Sequence, residues 1–130
     1  MRTLFLGEIN PDLVFSGLKS QVITDREVLA RDFGLRIGSS TAICACAFSA
    51  LGGDASLAGL IGDDFFGTFM LDELSRYGVS TEYVLQDPSV RTGVTACLNH
   101  KNTRTQVTFL GAIGQFDGNN VRPDTLAEFE

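Results

Sequence analysis

Strand-like and helix-like segments alternate along the first two thirds of the chain. Residues 2–6, 33–37 and 55–61 are short, apolar and typical of strands, whereas residues 42–51 and the segment that follows Asp63-Asp64 are typical of helices. Strands that alternate with helices pack as a largely parallel sheet covered by helices. The order of the segments therefore predicts an α/β fold.

The first helix-like segment has clear start and stop signals. Gly38-Ser39-Ser40-Thr41 supplies small and hydroxyl side chains before residues 42–51, and Gly52-Gly53 follows them. This helix is apolar nearly all round, which predicts that it lies deep in the domain. Cys44 and Cys46 point about 200° apart on such a helix, so they are predicted to be buried small residues and not metal ligands.

The second half of the chain adds a helix, a strand and a hairpin. Asp63-Asp64 is predicted to cap a helix that runs through Tyr77, and residues 82–85 are typical of a strand. Residues 92–99 and 105–110 are extended runs around a polar turn, which indicates an added antiparallel layer. The last eight residues open like a helix, with Asp124 as its expected cap, and we expect the chain to be part of something longer.

Composition limits the location and partners of the protein. The chain of 130 residues carries a net charge of −6 without clustered Lys or Arg, which argues against nucleic-acid binding. Its longest apolar stretch, residues 42–48, is too short to cross a membrane, and no signal-peptide core is present. Three cysteines without a secretory signal indicate reduced thiols. We expect a cytoplasmic protein of one domain.

Several common active sites are excluded by residue type and spacing. The chain lacks the P-loop pattern, and its glycines at 59, 62 and 67 do not fit the dinucleotide-binding pattern. His100 is the single histidine, so neither a zinc cluster nor a Ser-His-Asp triad is supported. We expect His100 to be a solvated surface residue.

Polar side chains follow the first predicted strand. Asn10 and Asp12 lie there, in the predicted polar turn Glu8-Ile9-Asn10-Pro11-Asp12, and ligands bind at the carboxyl ends of strands in open parallel sheets. A carboxylate accepts hydrogen bonds from neighbouring hydroxyls, and an amide both donates and accepts, which suits a polyol. The alternative is that both residues only form an Asx turn.

Two further segments contain candidate binding residues at helix starts. Gly38 and Ser39 precede the first helix, where free backbone N–H groups and the missing glycine side chain allow a ligand to approach. Helix capping alone is the alternative, and by residue type it is favoured. For Asp63-Asp64 the pattern favours a purely structural role, because carboxylates at a helix start complement its dipole.

Six segments, in order, resemble the ribokinase-like (PfkB-type) carbohydrate kinase family from Thr3 to about Ala112. They are Gly7-Glu8-Ile9-Asn10-Pro11-Asp12, the helix from Gly38 to Gly52, Gly59-Leu60-Ile61-Gly62-Asp63-Asp64-Phe65-Phe66-Gly67, Tyr77-Gly78-Val79-Ser80-Thr81, Arg91-Thr92-Gly93-Val94 and Thr108-Phe109-Leu110-Gly111-Ala112. Each segment alone is weak, but their shared order and spacing make the resemblance specific.

The resemblance implies a doubly wound, mostly parallel α/β domain with a small β-sheet lid, of which residues 1–130 are the N-terminal, substrate-binding portion. It implies phosphoryl transfer from ATP, with Mg²⁺, to a hydroxyl of a sugar or nucleoside. The lid strands would be about 13–15, 33–37 and 92–110. By position, the substrate-binding residues would be Asn10, Asp12, Gly38, Ser39, Thr95 and Cys97.

The chain departs from the family pattern at two places. Ile43 stands where the family commonly has a substrate-binding asparagine, and an isoleucine side chain cannot form hydrogen bonds. The Gly-Ala-Gly-Asp motif, which carries the catalytic base, does not occur, and the ATP-binding half is absent as well. We therefore expect no catalytic residue, no metal ligand and no kinase activity in these 130 residues alone.

Two alternatives to a sugar kinase remain open. One is a nucleoside kinase of the same family. The other is a non-catalytic sugar-binding or dimerisation module, because the edges of a lid sheet could recruit a second copy of the chain and form a homodimer.

Overall fold

A computed structural model describes residues 2–129, which form an α/β arrangement of two sheets and three α-helices. The strands are β1 (Arg2–Leu6), β2 (Pro11–Ser16), β3 (Asp32–Ile37), β4 (Asp54–Gly62), β5 (Ser80–Asp87), β6 (Val94–His100) and β7 (Thr103–Phe109), and the helices are α1 (Ser40–Ala50), α2 (Phe65–Arg76) and α3 (Pro123–Ala127). The predicted α/β class is confirmed.

β1, β4 and β5 form a parallel three-stranded sheet in the order β1-β4-β5. α1 packs against β1 and β4 on one face, and α2 packs against β4 and β5. α3 and Phe129 lie on the other face, where the Arg2 guanidinium group sits between the rings of Tyr83 and Phe129, 5.3 and 5.0 Å from their centroids. Helices therefore flank both faces of this sheet, as in a doubly wound fold.

The hydrophobic core lies between the three-stranded sheet and the first two helices. Alternate residues of β4 point into it, because successive side chains of a strand face opposite sides. Leu57 and Ile61 of β4 are fully buried there against Met70 and Leu74 of α2. Ile9, which follows β1, is also fully buried in this core and anchors the β1–β2 connection.

The four remaining strands form a second sheet in the order β3-β2-β6-β7. β2 pairs parallel with β6, while β2–β3 and β6–β7 are antiparallel. The hairpin β6–β7 turns at Lys101 and Asn102, in agreement with the extended runs expected from the sequence. The parallel contact between β2 and β6 joins segments about eighty residues apart and was not predicted.

The structure corrects four local expectations. α1 is not deeply buried all round, since only Ala42, Ala45 and Cys46 are buried and Cys44 is exposed. The reason is that β1 and β4 cover one face of this helix only. The half-buried His100 is not simply solvated, because its Nδ1 lies 2.8 Å from the Leu18 carbonyl oxygen.

Two polar segments also differ from their predicted form. Pro11 and Asp12 belong to strand β2 and not to a turn, because β3 and β6 pair with this segment from both sides. Asp124 does not cap α3, since Arg122 occupies the cap position without a side-chain hydrogen bond. Among residues 2–129, no helix has the length and apolar character needed to cross a membrane.

Candidate functional site

The six residues proposed from the sequence lie together where the two sheets meet. Residues 7–10 leave the carboxyl end of β1 and lead directly into β2. Asn10 is 5% exposed, and its Nδ2 donates long hydrogen bonds of 3.4 Å to the Thr95 hydroxyl and to the Pro11 carbonyl. The Asn10 side chain thus contacts the four-stranded sheet and does not form an isolated Asx turn.

Among residues 2–129, no backbone N–H group donates a hydrogen bond to the Asp12 carboxylate. Asp12 lies opposite Arg36 of β3 and Thr95 of β6, so the three side chains share one face. Burial raises the pKa of Asp12, and this effect exceeds the opposing influence of the Cys97 thiol and of Arg104. A half-buried carboxylate with unused acceptor capacity is suited to receive hydroxyl donors from a ligand.

Gly38 makes the close approach of Asp12 possible. The N–H of Gly38 donates to the Asn10 carbonyl over 3.0 Å, which closes the site on the α1 side. A Cβ at this position would overlap a carboxylate oxygen of Asp12 and would lie 2.7 Å from the Asn10 carbonyl oxygen. The site therefore requires glycine at position 38 for steric reasons.

Ser39 is the N-cap of α1, as the capping interpretation predicted. Its hydroxyl accepts from the Ala42 N–H at 3.0 Å and donates to the Glu8 carbonyl at 2.7 Å. These bonds hold Ser39 in the left-handed region, at φ 64°, which is uncommon for a residue with a side chain. The Ser39 hydroxyl is already used in these two hydrogen bonds. A ligand would therefore contact the backbone of Ser39.

Glu8 ties the same loop to the next residue of the helix. The Ser40 hydroxyl donates to the Glu8 carboxylate over 2.8 Å. This hydrogen bond holds the pKa of Glu8 below its usual value, although burial acts in the opposite direction. The β1–β2 connection is therefore fixed to α1 through both the backbone and the side chain of Glu8.

Thr95 and Cys97 of β6 form the floor of the site. Both are buried, with 7% and 3% exposure, and they lie on the same face of the four-stranded sheet as Asp12. The Thr95 hydroxyl lies 3.0 Å from that of Thr108, and Gln106 Nε2 donates to Cys97 Sγ over 3.5 Å.

Four neighbours of the site were not anticipated from the sequence. Thr108 and Gln106 lie opposite Thr95 and Cys97 in the β6–β7 register, Arg104 influences Asp12 electrostatically, and Arg36 pairs with Asp12 across β2 and β3. A two-residue turn at 101–102 fixes the β6–β7 register. This turn was the sequence feature from which the positions of Thr108 and Gln106 opposite Thr95 and Cys97 could have been predicted.

Ile43 lies one turn into α1 and presents an apolar side chain. It is 52% exposed and lines a groove with Leu35 and Ile37 of β3. A hydroxyl group of a ligand that approached this side chain would find no hydrogen-bond partner in it.

The chemistry available at this site is hydrogen bonding. Asp12 supplies an acceptor with free capacity, and the thiol, hydroxyl and amide groups around it can both donate and accept. Within residues 2–129, no cluster of three or more His, Cys, Asp or Glu side chains could hold a metal ion. The side chains of the site can therefore form hydrogen bonds with a ligand that carries hydroxyl groups.

The chain is similar in sequence and structure to known carbohydrate kinases. Residues 2–129 match the model of the pfkB family carbohydrate kinase. Fructokinase-2 from Oryza sativa subsp. japonica is 42% identical over 57 residues, which cover 44% of this chain and 17% of the rice protein.

Solved structures agree with this family match over most of the chain. The fructokinase from Halothermothrix orenii superposes with a TM-score of 0.74 at 26% identity, over 87% of this chain and 39% of the other. A sugar kinase from Pyrococcus horikoshii, solved in complex with ATP, gives 0.80 at 25% identity over 96% and 40%. The chain therefore spans less than half the length of these relatives.

Proposed function

Since this chain belongs to the pfkB family of carbohydrate kinases, we propose that it forms the sugar-binding side of an ATP-dependent sugar kinase. The term complete protein refers below to a longer chain that contains these 130 residues and has the length of the solved relatives. The observation that carries the proposal is the Asp12 carboxylate, which is half-buried beside Gly38 and Cys97 and has acceptor capacity left for a ligand.

In this proposal, sugar hydroxyls donate hydrogen bonds to Asp12. The Asn10 amide oxygen and the backbone before α1 supply further contacts, while the buried Thr95 and Cys97 define the shape of the floor. A charged acceptor makes each hydrogen bond stronger than a neutral one does, so Asp12 is expected to contribute most to affinity. These groups bind and orient the acceptor hydroxyl, and the reacting phosphate comes from elsewhere in the complete protein.

ATP is the proposed phosphate donor. One solved relative, the sugar kinase from Pyrococcus horikoshii, was crystallised in complex with ATP, and another, a ribokinase from Cryptococcus neoformans, in complex with ADP. Mg²⁺ would offset the charge of the transferring phosphoryl group when bound. No metal-ligand cluster is found within residues 2–129, so we assign no Mg²⁺ ligand to this part of the chain.

The 130 residues alone are proposed to be inactive, because the Gly-Ala-Gly-Asp motif that carries the family's base is not among them. A coupled ADP-release assay on the complete protein tests the proposal with a panel of sugars, sugar acids and nucleosides. Fructose is the first sugar to try, since fructokinases are among the relatives. We expect turnover with at least one sugar. Turnover with nucleosides alone would replace the sugar assignment, and no turnover with any substrate would overturn the kinase assignment.

We also propose that the four-stranded sheet acts as a lid over the sugar and as a dimer contact. Its outer strands carry exposed apolar side chains, with Phe33 and Val107 exposed to 56% and 62%. Sedimentation analysis of the complete protein is expected to show a dimer that Val107→Lys dissociates. A monomer at all concentrations would contradict the contact.

The cytoplasm is the proposed location. The three cysteines are free thiols, as expected in a reducing compartment. Fractionation of cells that express the complete protein tests this location, and recovery of the protein outside the cytoplasm would contradict it.

A further inference from the structure

The turn between β4 and α2 is bound to the segment that leads into the β6–β7 hairpin. One carboxylate oxygen of Asp64 accepts from the Gly67 N–H over 2.9 Å and so caps α2. The other accepts from the Thr92 N–H, also over 2.9 Å. The Thr92 hydroxyl in turn accepts from the Gly62 N–H at 2.9 Å. Two of these three hydrogen bonds, those of the Thr92 N–H and hydroxyl, thus join the two segments.

Two glycines allow the segments to approach this closely. A Cβ at Gly62 would lie 2.5 Å from the Val90 carbonyl oxygen and 2.8 Å from the Thr92 nitrogen. A Cβ at Gly67 would overlap the Gly62 carbonyl oxygen. Thr92 itself is only 2% exposed, so water has little access to its N–H and hydroxyl groups.

Thr92 lies at the base of the β6–β7 hairpin, where the hairpin connects to the rest of the domain. The Ala112 N–H donates to the Arg91 carbonyl over 2.7 Å, which closes the base of the hairpin. A Cβ at Gly93 would lie 2.5 Å from the Leu110 carbonyl oxygen, so the two chains touch there. Thr95, on the floor of the site, follows Thr92 by three residues, about 10 Å along an extended chain.

Charge supports the same contact. Burial acts to raise the pKa of Asp64, but the hydrogen bonds from Gly67 and Thr92 more than offset it, and the nearby Arg91 adds to their effect. The pKa of Asp64 therefore lies below its usual value, and its carboxylate is ionised at neutral pH. An ionised acceptor makes the bond to the Thr92 N–H one of the stronger kind.

We propose that Asp64 is a positioning residue, which holds the base of the hairpin through Thr92 and thereby sets where Thr95 and Cys97 meet the sugar. The role rests on the proposed function, because the hydrogen bonds of Asp64 come from Gly67 and Thr92 and the sugar contacts are assigned to Thr95 and Cys97. It also goes beyond the helix-capping role that the sequence pattern suggests for this carboxylate.

Two substitutions separate the bond to Thr92 from the cap of α2. In Asp64→Asn, the amide oxygen can still accept from Gly67, but the NH₂ group would face the Thr92 N–H and cannot accept from it. Asp64→Ser keeps a capping hydroxyl but is too short to bond both N–H groups. Asp63→Asn is the matched control, since it removes one charge from an exposed neighbour at the same helix start.

Amide hydrogen exchange at Thr92, followed by NMR in the 130-residue chain, measures the contact directly. We expect exchange to be at least tenfold faster in Asp64→Asn and Asp64→Ser and unchanged in Asp63→Asn. In the complete protein, the KM for the sugar should rise at least threefold in both Asp64 variants, with kcat within twofold of the parent. A merely structural loss would instead lower the fraction of active protein, and so kcat, without changing KM.

Each outcome decides a separate point. Unchanged Thr92 exchange in the Asp64 variants would overturn the proposed contact. Faster exchange with an unchanged KM would overturn the positioning role. If the complete protein phosphorylates no sugar, the proposed function fails, while Thr92 exchange still shows whether Asp64 holds the hairpin. An effect of Asp63→Asn equal to that of the Asp64 variants would assign the result to helix charge and would also overturn the proposal.

Discussion

Asp12, near the start of β2, and Asp64, just after β4, are both partly buried carboxylates, yet their hydrogen bonding and their pKa shifts are opposite. Asp64 receives backbone N–H groups from Gly67 and Thr92, and its pKa is lowered despite burial. Asp12 receives none from the described backbone, and burial raises its pKa. A carboxylate whose hydrogen bonds are supplied by its own chain stabilises the fold, whereas one left without them is available to a ligand.

We expect the largest effect on sugar binding from a substitution that fills the space beside the Asp12 carboxylate. Gly38→Ala would place a Cβ against the Asp12 carboxylate and 2.7 Å from the Asn10 carbonyl oxygen. We expect the KM of the complete protein for its sugar to rise roughly a hundredfold, or about 2.7 kcal/mol of binding free energy. The free energy of unfolding should fall by about 1–3 kcal/mol.

Gly118→Ala is the control for this substitution, because no atom lies within 4 Å of the added Cβ. Neither KM nor stability should change in the control. Equal KM values for the Gly38→Ala variant and the parent would show that the space around Asp12 is not needed for binding.

The second prediction contrasts the two carboxylates in stability. Asp64→Ala removes the cap of α2 and leaves the buried Thr92 N–H unpaired, so the free energy of unfolding should fall by about 2 kcal/mol. Asp12→Asn removes a charge that the fold does not stabilise, so its unfolding free energy should stay within about 0.5 kcal/mol of the parent. Urea denaturation of the 130-residue chain measures both. A larger loss for Asp12→Asn than for Asp64→Ala would reverse the comparison.

The third prediction is a difference in pH dependence with opposite signs. The lowered pKa of Asp64 means that its stabilising effect is full above its unfolded value, near pH 4, and is lost as the pH falls through the lower folded value. The stability gap between the parent and Asp64→Asn should therefore shrink in acid. For Asp12 the pKa is raised, so the cost of the charge should disappear as the pH falls through that higher value.

Urea denaturation between pH 3 and pH 7 tests these slopes, with both Asn variants compared against the parent. The parent should gain stability relative to Asp12→Asn as acid is added and lose it relative to Asp64→Asn. Slopes of the same sign for the two comparisons would contradict the assignment of the carboxylates to different roles.

The smallest expected effect concerns Ile43, whose side chain is 52% exposed beside Leu35 and Ile37. Ile43→Asn should change the free energy of unfolding by no more than about 0.5 kcal/mol, as is usual for surface positions. If Asp12 and its neighbours supply the sugar contacts, KM should change less than threefold. A much lower KM in this variant would show that the sugar places a hydroxyl group beside residue 43, where the parent protein leaves it without a hydrogen-bond partner.

The sequence predicted the parts of the fold that depend on local pattern. The strand at residues 2–6, both cap signals at Ser39 and Asp64, and the hairpin after Gly93 follow from residue types and spacing over a few positions. The depth of α1 was misjudged, because an apolar helix sequence does not show how many neighbours it has. Asp12 was assigned to a turn because its strand depends on partners far along the chain.

The candidate site was predicted in part. The six proposed residues were found together, but the sequence could not show that the Ser39 hydroxyl is used by the fold while Asp12 keeps free acceptors. Its neighbours Arg36 and Thr108 depend on strand register, which a pattern of residue types does not fix. The second bond of Asp64, to Thr92, joins residues 28 positions apart and is visible only in three dimensions.

The central claim is that the carboxylate left free by the fold binds the sugar, and Asp12→Asn in the complete protein tests it most directly. The measurement is the KM for the sugar in a coupled ADP-release assay, together with the free energy of unfolding of the same variant. We predict a KM more than tenfold higher, or about 1.4 kcal/mol, with stability unchanged. An unchanged KM in a folded variant would contradict the claim and leave Asp12 as a residue of strand β2 alone.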